Sequence, residues 1–199
     1  MKIDAQLKLI EIATPLFAMK GFAAVSVREV TDAAQMNVAA ISYHFNGKEG
    51  LYQAVLEEQF ARIMQALQEV KNNDSLSPLE RLTFYADQIA QIHAQRPYLA
   101  RLMSSEVNNP TDYGGQVIEK YLSQVYEFMQ TNLQEGIGNG DFQPDLNITY
   151  AAISLAGILN FYFITKPFIR KFTVLPENAN AEYTTHAFRI YLNGIRSKA

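Results

Sequence analysis

The sequence predicts an all-α fold of about nine helices, and three observations carry that reading. Apolar residues recur three and four apart through almost every segment. Hydroxyl and amide residues stand where helices should begin, and glycines and prolines fall where they should end. No stretch alternates as a half-buried strand does, and no internal repeat is visible.

Of the 199 residues, 48% are apolar and 19% charged, enough apolar surface to offset chain entropy and to exclude a disordered or fibrous class. There is no cysteine, which excludes disulfides, thiolate chemistry and cysteine-based metal sites and leaves His44, His93 and His186 as soft ligands. No metal site and no cofactor are expected. Lys2, Asp4, Lys8 and Glu11 interrupt the first apolar positions, so no signal peptide can be drawn. The longest apolar stretch, Ala151 to Thr165, is broken by Ser154, Gly157 and Asn160 and is too short to cross a bilayer comfortably. A cytoplasmic protein without a membrane span is the expectation.

In chain order, Leu7, Ile10, Ala13, Leu16 and Phe17 form one helix face, and Gly21 ends that helix. Ser26-Val27-Arg28-Glu29 has the pattern of a capping box and opens a short helix from about Val27 to Ala34. Asn37 is a suitable N-cap for another, Val38 to Phe45, which Asn46-Gly47 breaks. Leu51, Val55, Phe60, Ile63, Met64 and Leu67 then carry a long helix from Lys48 to about Lys71, ahead of a polar loop at Asn72-Asn73-Asp74-Ser75.

Ser77-Pro78-Leu79-Glu80 supplies an N-cap, a first-turn proline and a carboxylate for a helix to about Gln95. Pro97 restarts a helix that runs to Asn109-Pro110. The next spans about Asp112 to Glu135 and should stop at Gly136, Gly138 and Gly140. Asn147 caps a nearly all-apolar helix to about Lys166, and a last helix covers roughly Ala179 to Arg196.

Two short helices joined by a tight turn behind a packing helix outline a helix-turn-helix, whose second short helix offers its first residues to the major groove. Val27, Val30, Ala34, Met36, Ile41 and Phe45 can supply the core, leaving Asn37, Val38, Ala39, Ala40, Ser42 and Tyr43 outward. Spacing alone allows a generic small helical bundle equally well. The charge balance argues against a broad basic face, because up to Tyr52 five cations (Lys2, Lys8, Lys20, Arg28, Lys48) meet five anions (Asp4, Glu11, Glu29, Asp32, Glu49).

The residues themselves favour the first alternative. Val25 to Val30, then Ala33 to Leu51 with its Tyr43-His44-Phe45 run and Lys48-Glu49, preceded by Phe17, Gly21 and Phe22, resembles the DNA-binding region of TetR-family transcriptional regulators. The likeness covers about the first quarter of the chain; residues 1–50 would be the helix-turn-helix domain and 51–199 the effector-binding and dimerisation domain.

The resemblance implies that the third helix reads DNA. Lys48 and the helix start around it would hold a phosphate, with Tyr43, His44, Ser26 and Arg28 on neighbouring backbone positions. Asn37 would face the DNA, and Val38, Ala39, Ala40 and Ser42 would approach base edges; being mostly small and apolar, these four would touch thymine methyls rather than make bidentate bonds, so DNA shape should share the reading. Tyr43 could instead be a core aromatic and His44 a surface histidine. The sequence departs from the family at Gln35, where a turn glycine is usual, and at Thr31, where alanine is common.

For the remainder, the resemblance implies dimerisation through the last two long helices, and the residues give a separate reason. Ala151, Ile153, Leu155, Ala156, Ile158, Leu159, Phe161, Tyr162 and Phe163 wrap almost all round one helix, with Ala152, Ala156 and Gly157 allowing close approach. A buried monomer core would explain the same pattern. Phe60, Met64, Phe84, Met103, Tyr121 and Phe161 are candidate walls for a small-molecule effector, and His93 or Glu106 could orient it. Arg101 to Met103 with Glu106, and Gly136 to Phe142, are similar to the CecR-like branch, which names no ligand.

No nucleophile elbow, phosphate-cradling loop or HExxH motif is present, so no catalytic residue is expected. The reading is a homodimeric, ligand-responsive transcriptional regulator, a repressor on a palindromic double-stranded operator. A helical protein-interaction adaptor is the alternative, and its sign would be a third helix covered by protein.

Overall fold

Capping and apolar spacing set most helix ends where they were expected. In the computed structural model, which describes residues 5–71, 73 and 75–197, nine helices follow one another: α1 (Ala5–Lys20), α2 (Val27–Ala34), α3 (Ala39–Phe45), α4 (Lys48–Lys71), α5 (Pro78–Gln95), α6 (Leu99–Asn108), α7 (Gly114–Gly138), α8 (Ile148–Ile169) and α9 (Ala179–Ile195). Among the described residues the extended structure is limited to an isolated bridge between Phe142 and Arg196. Lys2 and Asp4 of the charge balance, and Asn72 and Asp74 of the expected loop, lie outside the described residues.

The described chain divides into two compact units. The first comprises the chain up to Ala61 together with Tyr98–Tyr121; the second comprises Arg62–Pro97 and the chain from Leu122 onward. Both α4 and α7 contribute residues to each.

In the first unit α1 packs on α2 and α6, and α2 packs on α3. Leu9, Ala13, Phe17, Val30, Ala34, Ile41, Phe45 and Leu51 form its buried centre, whereas the expected core residues Val27 and Met36 are only half-buried. Gly21 ends α1 in the left-handed conformation, φ 80°, its N–H donating to Phe17 O at 2.9 Å. Ser26 caps α2 by accepting from the Glu29 amide at 3.1 Å. The reciprocal half of the capping box is not formed, because the Glu29 carboxylate is taken by Lys20 instead. That lysine holds the Glu29 carboxyl below its usual range.

In the second unit α9 packs on α5 and α8, and α5 on α8. The Ser77–Glu80 capping box at α5 is complete, and Asn147 caps α8 by accepting from the Tyr150 amide at 3.0 Å. Two expectations need correction here. Gly136 lies inside α7 rather than stopping it; a Cβ there would sit 2.2 Å from the Phe142 ring, so the glycine makes room for a buried aromatic. The helix ends at Gly138, and Gly140, φ 81°, makes the left-handed turn that follows. Pro167 also lies inside α8, which runs on to Ile169 and is long and apolar enough to cross a membrane. Its inner residues Ala151, Ala152, Leu155, Leu159, Tyr162 and Phe163 are nevertheless buried in this unit.

Candidate nucleic-acid interface

The turn between α2 and α3 is built on Gln35 in the left-handed conformation, φ 54° and ψ 46°. Its amide donates to Asp32 O and that of Met36 to Thr31 O, so two carbonyls of the last turn of α2 are satisfied despite the absence of glycine. Thr31, the other departure, is fully buried, and its hydroxyl donates to Val27 O at 3.2 Å and Arg28 O at 3.0 Å. Thr31 is thus held by hydrogen bonds inside α2, and the turn carries backbone strain at Gln35.

The helix α3 begins one residue later than expected. Val38 occupies the position before it, and the Asn37 side chain accepts from the Ala39 amide at 2.9 Å, with the first turn closed by Ala40 N to Asn37 O and Ile41 N to Val38 O. Those three-residue bonds tighten the start and place the cap one step inward. Ile41 and Phe45 are buried on the inner side. On the outer side Asn37, Val38, Ala39 and Ser42 are exposed, Ala40 is half-buried, and Tyr43 is 83% exposed with its ring edge-on to His44. Tyr43 is thus not a core aromatic, and His44 is half-buried between Tyr43 and Phe45.

The junction from α3 to α4 is held tightly. Asn46, φ 59°, and Gly47, φ 124°, reverse the chain, and a Cβ on Gly50 would lie 1.8 Å from the Phe45 carbonyl oxygen. The first backbone bond into α4 is donated by Leu51 to Gly47 O, so the amides ahead of it are those that a helix start offers to an anion. Lys48 stands at this start. Its Nζ donates to Ala23 O at 3.3 Å and lies 4.4 Å from the centre of the Phe22 ring. Ser26 and Arg28 are at the start of α2, and both are exposed.

Behind this surface lies a link that no local signal announces. Tyr52 on α4 donates from its hydroxyl to Glu106 Oε1 on α6 at 2.6 Å, and the same carboxylate accepts from the Thr111 amide at 2.9 Å. Glu106 is buried, so it is already satisfied by its own unit rather than held ready for a ligand. Burial and this carboxylate push the Tyr52 hydroxyl well above the ordinary phenol range.

The residues expected to line an effector site fall in different places. Within the first unit Phe60 and Tyr121 are buried and stacked, ring centres 5.0 Å apart, and Met103 is half-buried. Within the second, Met64 and Phe84 are half-buried and His93 is buried, stacked at 3.8 Å on Phe163 with Nε2 3.3 Å from Asn160 Oδ1. Phe161 faces outward, 65% exposed, on a stripe of α8 with Tyr150, Ile153 and Phe168. A small cleft of about 30 Å³ in this unit is polar, lined by Arg62, Gln65, Glu69 and Gln88 among others, and none of the expected wall residues borders it.

Residues 9–55 match the family described as bacterial regulatory proteins, tetR family. The chain is 32% identical over 137 residues to the probable HTH-type transcriptional regulator YttP of Bacillus subtilis, covering 68% of this chain and 66% of that protein. It is 28% identical over 146 residues to the transcriptional repressor KstR2 of Mycolicibacterium smegmatis, covering 71% and 69%, and 22% identical over 193 residues to the repressor NicS of Pseudomonas putida, covering 94% and 91%. Among solved structures, the fatty acid degradation regulator FadR from Bacillus halodurans superposes with a TM-score of 0.78 at 18% identity over the whole of both chains. The ketosteroid regulator KstR2 of Mycobacterium tuberculosis gives 0.77 at 19%, covering 100% of this chain and 98% of that one. These two share the fold. With the packed trihelical unit, the exposed outer side of α3 and the match over residues 9–55 together, the chain belongs to the tetR family of DNA-binding transcriptional regulators.

Proposed function

We propose that this regulator is a homodimeric repressor whose two α3 helices read the half-sites of a palindromic operator, and that a small-molecule effector releases it. The observation that carries the reading is the uncovered outer face of α3, with Tyr43 83% and Val38 43% exposed on a helix whose other side is buried. An adaptor would need that face covered. Tyr43, His44, Lys48, Ser26 and Arg28 supply phosphate contacts, while Asn37, Val38, Ala39, Ala40 and Ser42 approach the bases.

The dimer reading is supported by the outward stripe of α8. Tyr150, Ile153, Phe161, Ile164 and Phe168 are exposed along one side, Gly157 among them has nothing within 4 Å of where a Cβ would be, and α9 adds Ile190. An apolar stripe of this length on a soluble helix calls for a partner, and twofold pairing with a second copy also satisfies palindromic reading. Phe161 accordingly serves this face better than an effector site. The remaining candidate effector walls are Phe60, Met103 and Tyr121 within the first unit or Met64, Phe84 and His93 within the second. The helix α4, which has residues in both units, carries the change toward the operator. The likeness to the CecR-like branch belongs to the same proposal, as does action in the cytoplasm, where the operator is.

Selection of bound fragments from genomic DNA by the full chain tests the reading. A palindromic consensus with half-sites about one helical turn apart is expected. Recovery of fragments with no shared sequence would remove it.

A further inference from the structure

The half-exposed Phe22, in the loop between α1 and α2, has its ring face under the Lys48 ammonium. We infer that Phe22 is a positioning residue for DNA binding, holding Lys48 in place for a backbone phosphate. This rests on the proposal that Lys48 makes such a contact.

The geometry gives the ring two functions. An ammonium over an aromatic face is attracted by the ring's negative quadrupole, with no anionic oxygen competing for it. One donor goes to Ala23 O, which leaves donor capacity for a phosphate oxygen. A lysine has a flexible four-carbon stem, so confining it before the encounter lowers the entropy lost on binding. The ring is itself confined. It lies 5.0 Å from Tyr52, 6.1 Å from Phe17 and 6.5 Å from Tyr113, centre to centre, so three other rings neighbour it while the lysine lies over its face. Tyr52 is anchored in turn by its hydrogen bond to Glu106. The cation is thus set by an aromatic platform rather than by a carboxylate. This matters for function, because a carboxylate partner would compete with the phosphate and a ring does not.

The test is a double-mutant cycle on the full chain, with Phe22→Leu, Lys48→Ala and the pair, read as anisotropy of a labelled duplex of mixed sequence, about three helical turns long, from low to moderate salt. Lys48→Ala should make the salt dependence shallower by roughly 0.9 in logarithmic slope for each phosphate that the lysine neutralises in the parent. Phe22→Leu should weaken binding about two- to fivefold when Lys48 is present, and should have no effect when Lys48 is alanine. Phe22→Tyr, which keeps the ring, should bind as the parent does. Weakened binding in Phe22→Leu that persists in the Lys48→Ala background would overturn the inference, as would unchanged binding in Phe22→Leu beside a weakened Lys48→Ala. Unchanged binding in Lys48→Ala itself would instead remove the phosphate interaction on which the inference stands. If Phe22→Leu does not fold, the parent protein still decides: the Lys48 ε-methylene protons should resonate upfield through the ring current of Phe22, and an ordinary lysine position refutes the stacking.

Discussion

Lowering the pH from 7 to 5 should destabilise the second unit through His93. Burial lowers this imidazole to about 4; its bond with Asn160 raises it and nearby Lys166 lowers it, but burial dominates. The Asn160 amide nitrogen donates to Ala156 O at 2.9 Å, which turns its carbonyl oxygen toward His93 and makes Nε2 the donor of a neutral ring. The ring is also stacked nearly parallel on Phe163 at 3.8 Å, a packing that excludes the water a charged imidazole would need.

The magnitude follows from linkage. The unfolded chain binds a proton at His93 with an ordinary value near 6.5, whereas the folded chain does so only near 4, so between these values the unfolded state holds more protons and folding weakens as the pH falls. The full difference is worth about 3 kcal/mol, of which about 2 kcal/mol has been lost by pH 5. Above pH 6.5 the effect vanishes. Urea unfolding of the parent and of His93→Gln, at matched concentration and at pH 7 and 5, isolates it, since carboxylates and the other histidines titrate alike in both. The parent should lose about 2 kcal/mol more than the variant over this interval. Equal losses, or an imidazole resonance in the folded protein that titrates near 6.5, would refute the reasoning.

Three further outcomes are expected. Gly50→Ala forces a methyl into the Phe45 carbonyl, 1.8 Å away, and should lower stability by about 2–4 kcal/mol, with faster amide exchange in α3 and early α4; an unchanged melting temperature contradicts this. Gln35→Gly relieves a left-handed non-glycine residue and, after the added freedom of the unfolded chain, should raise stability by about 0.5–1 kcal/mol in denaturant titration. Phe161→Glu places a charge on the exposed α8 stripe and should shift sedimentation from dimer to monomer without changing the helical circular-dichroism signal; a dimer that persists points to another interface.

What the sequence disclosed was whatever depends on near neighbours. Gly21, the Ser77–Glu80 box and Asn147 act within one turn of their own helix, and all three stand in the structure as their types require. Features that depend on distant partners were not legible. Gly136 reads as a stop until the Phe142 ring is placed against it, and the Glu29 carboxylate reads as half of a capping box until Lys20 is known to be near. The Tyr52–Glu106 bond joins residues 54 apart, and a lone glutamate among polar neighbours carries no sign of burial. In the candidate DNA surface the outward residues of α3 were readable because a short helix has one core side. Phe22 was readable as part of a pattern, but the side of its ring that meets Lys48 belongs to loop geometry.

The charge arithmetic of the N-terminal region bears on how such a surface selects its site. Five cations and five anions balance up to Tyr52, and Lys20 is further committed to Glu29. If Lys48 meets a phosphate as proposed, attraction to duplex DNA would depend on a few local donors, among them Lys48 on its aromatic platform and the helix start beside it, rather than on a broad positive field. A surface of that kind binds indifferent DNA weakly, because sequence-independent affinity grows with the number of neutralised phosphates. Weak background binding raises the ratio of specific to non-specific affinity, which decides occupancy of one operator among a genome of competing sites. It also makes placement matter more than charge count: displacing Lys48 removes a large share of a small total. On the inference drawn above, the Phe22 ring, held against Tyr52 and so against the Glu106 carboxylate, would keep that share in place.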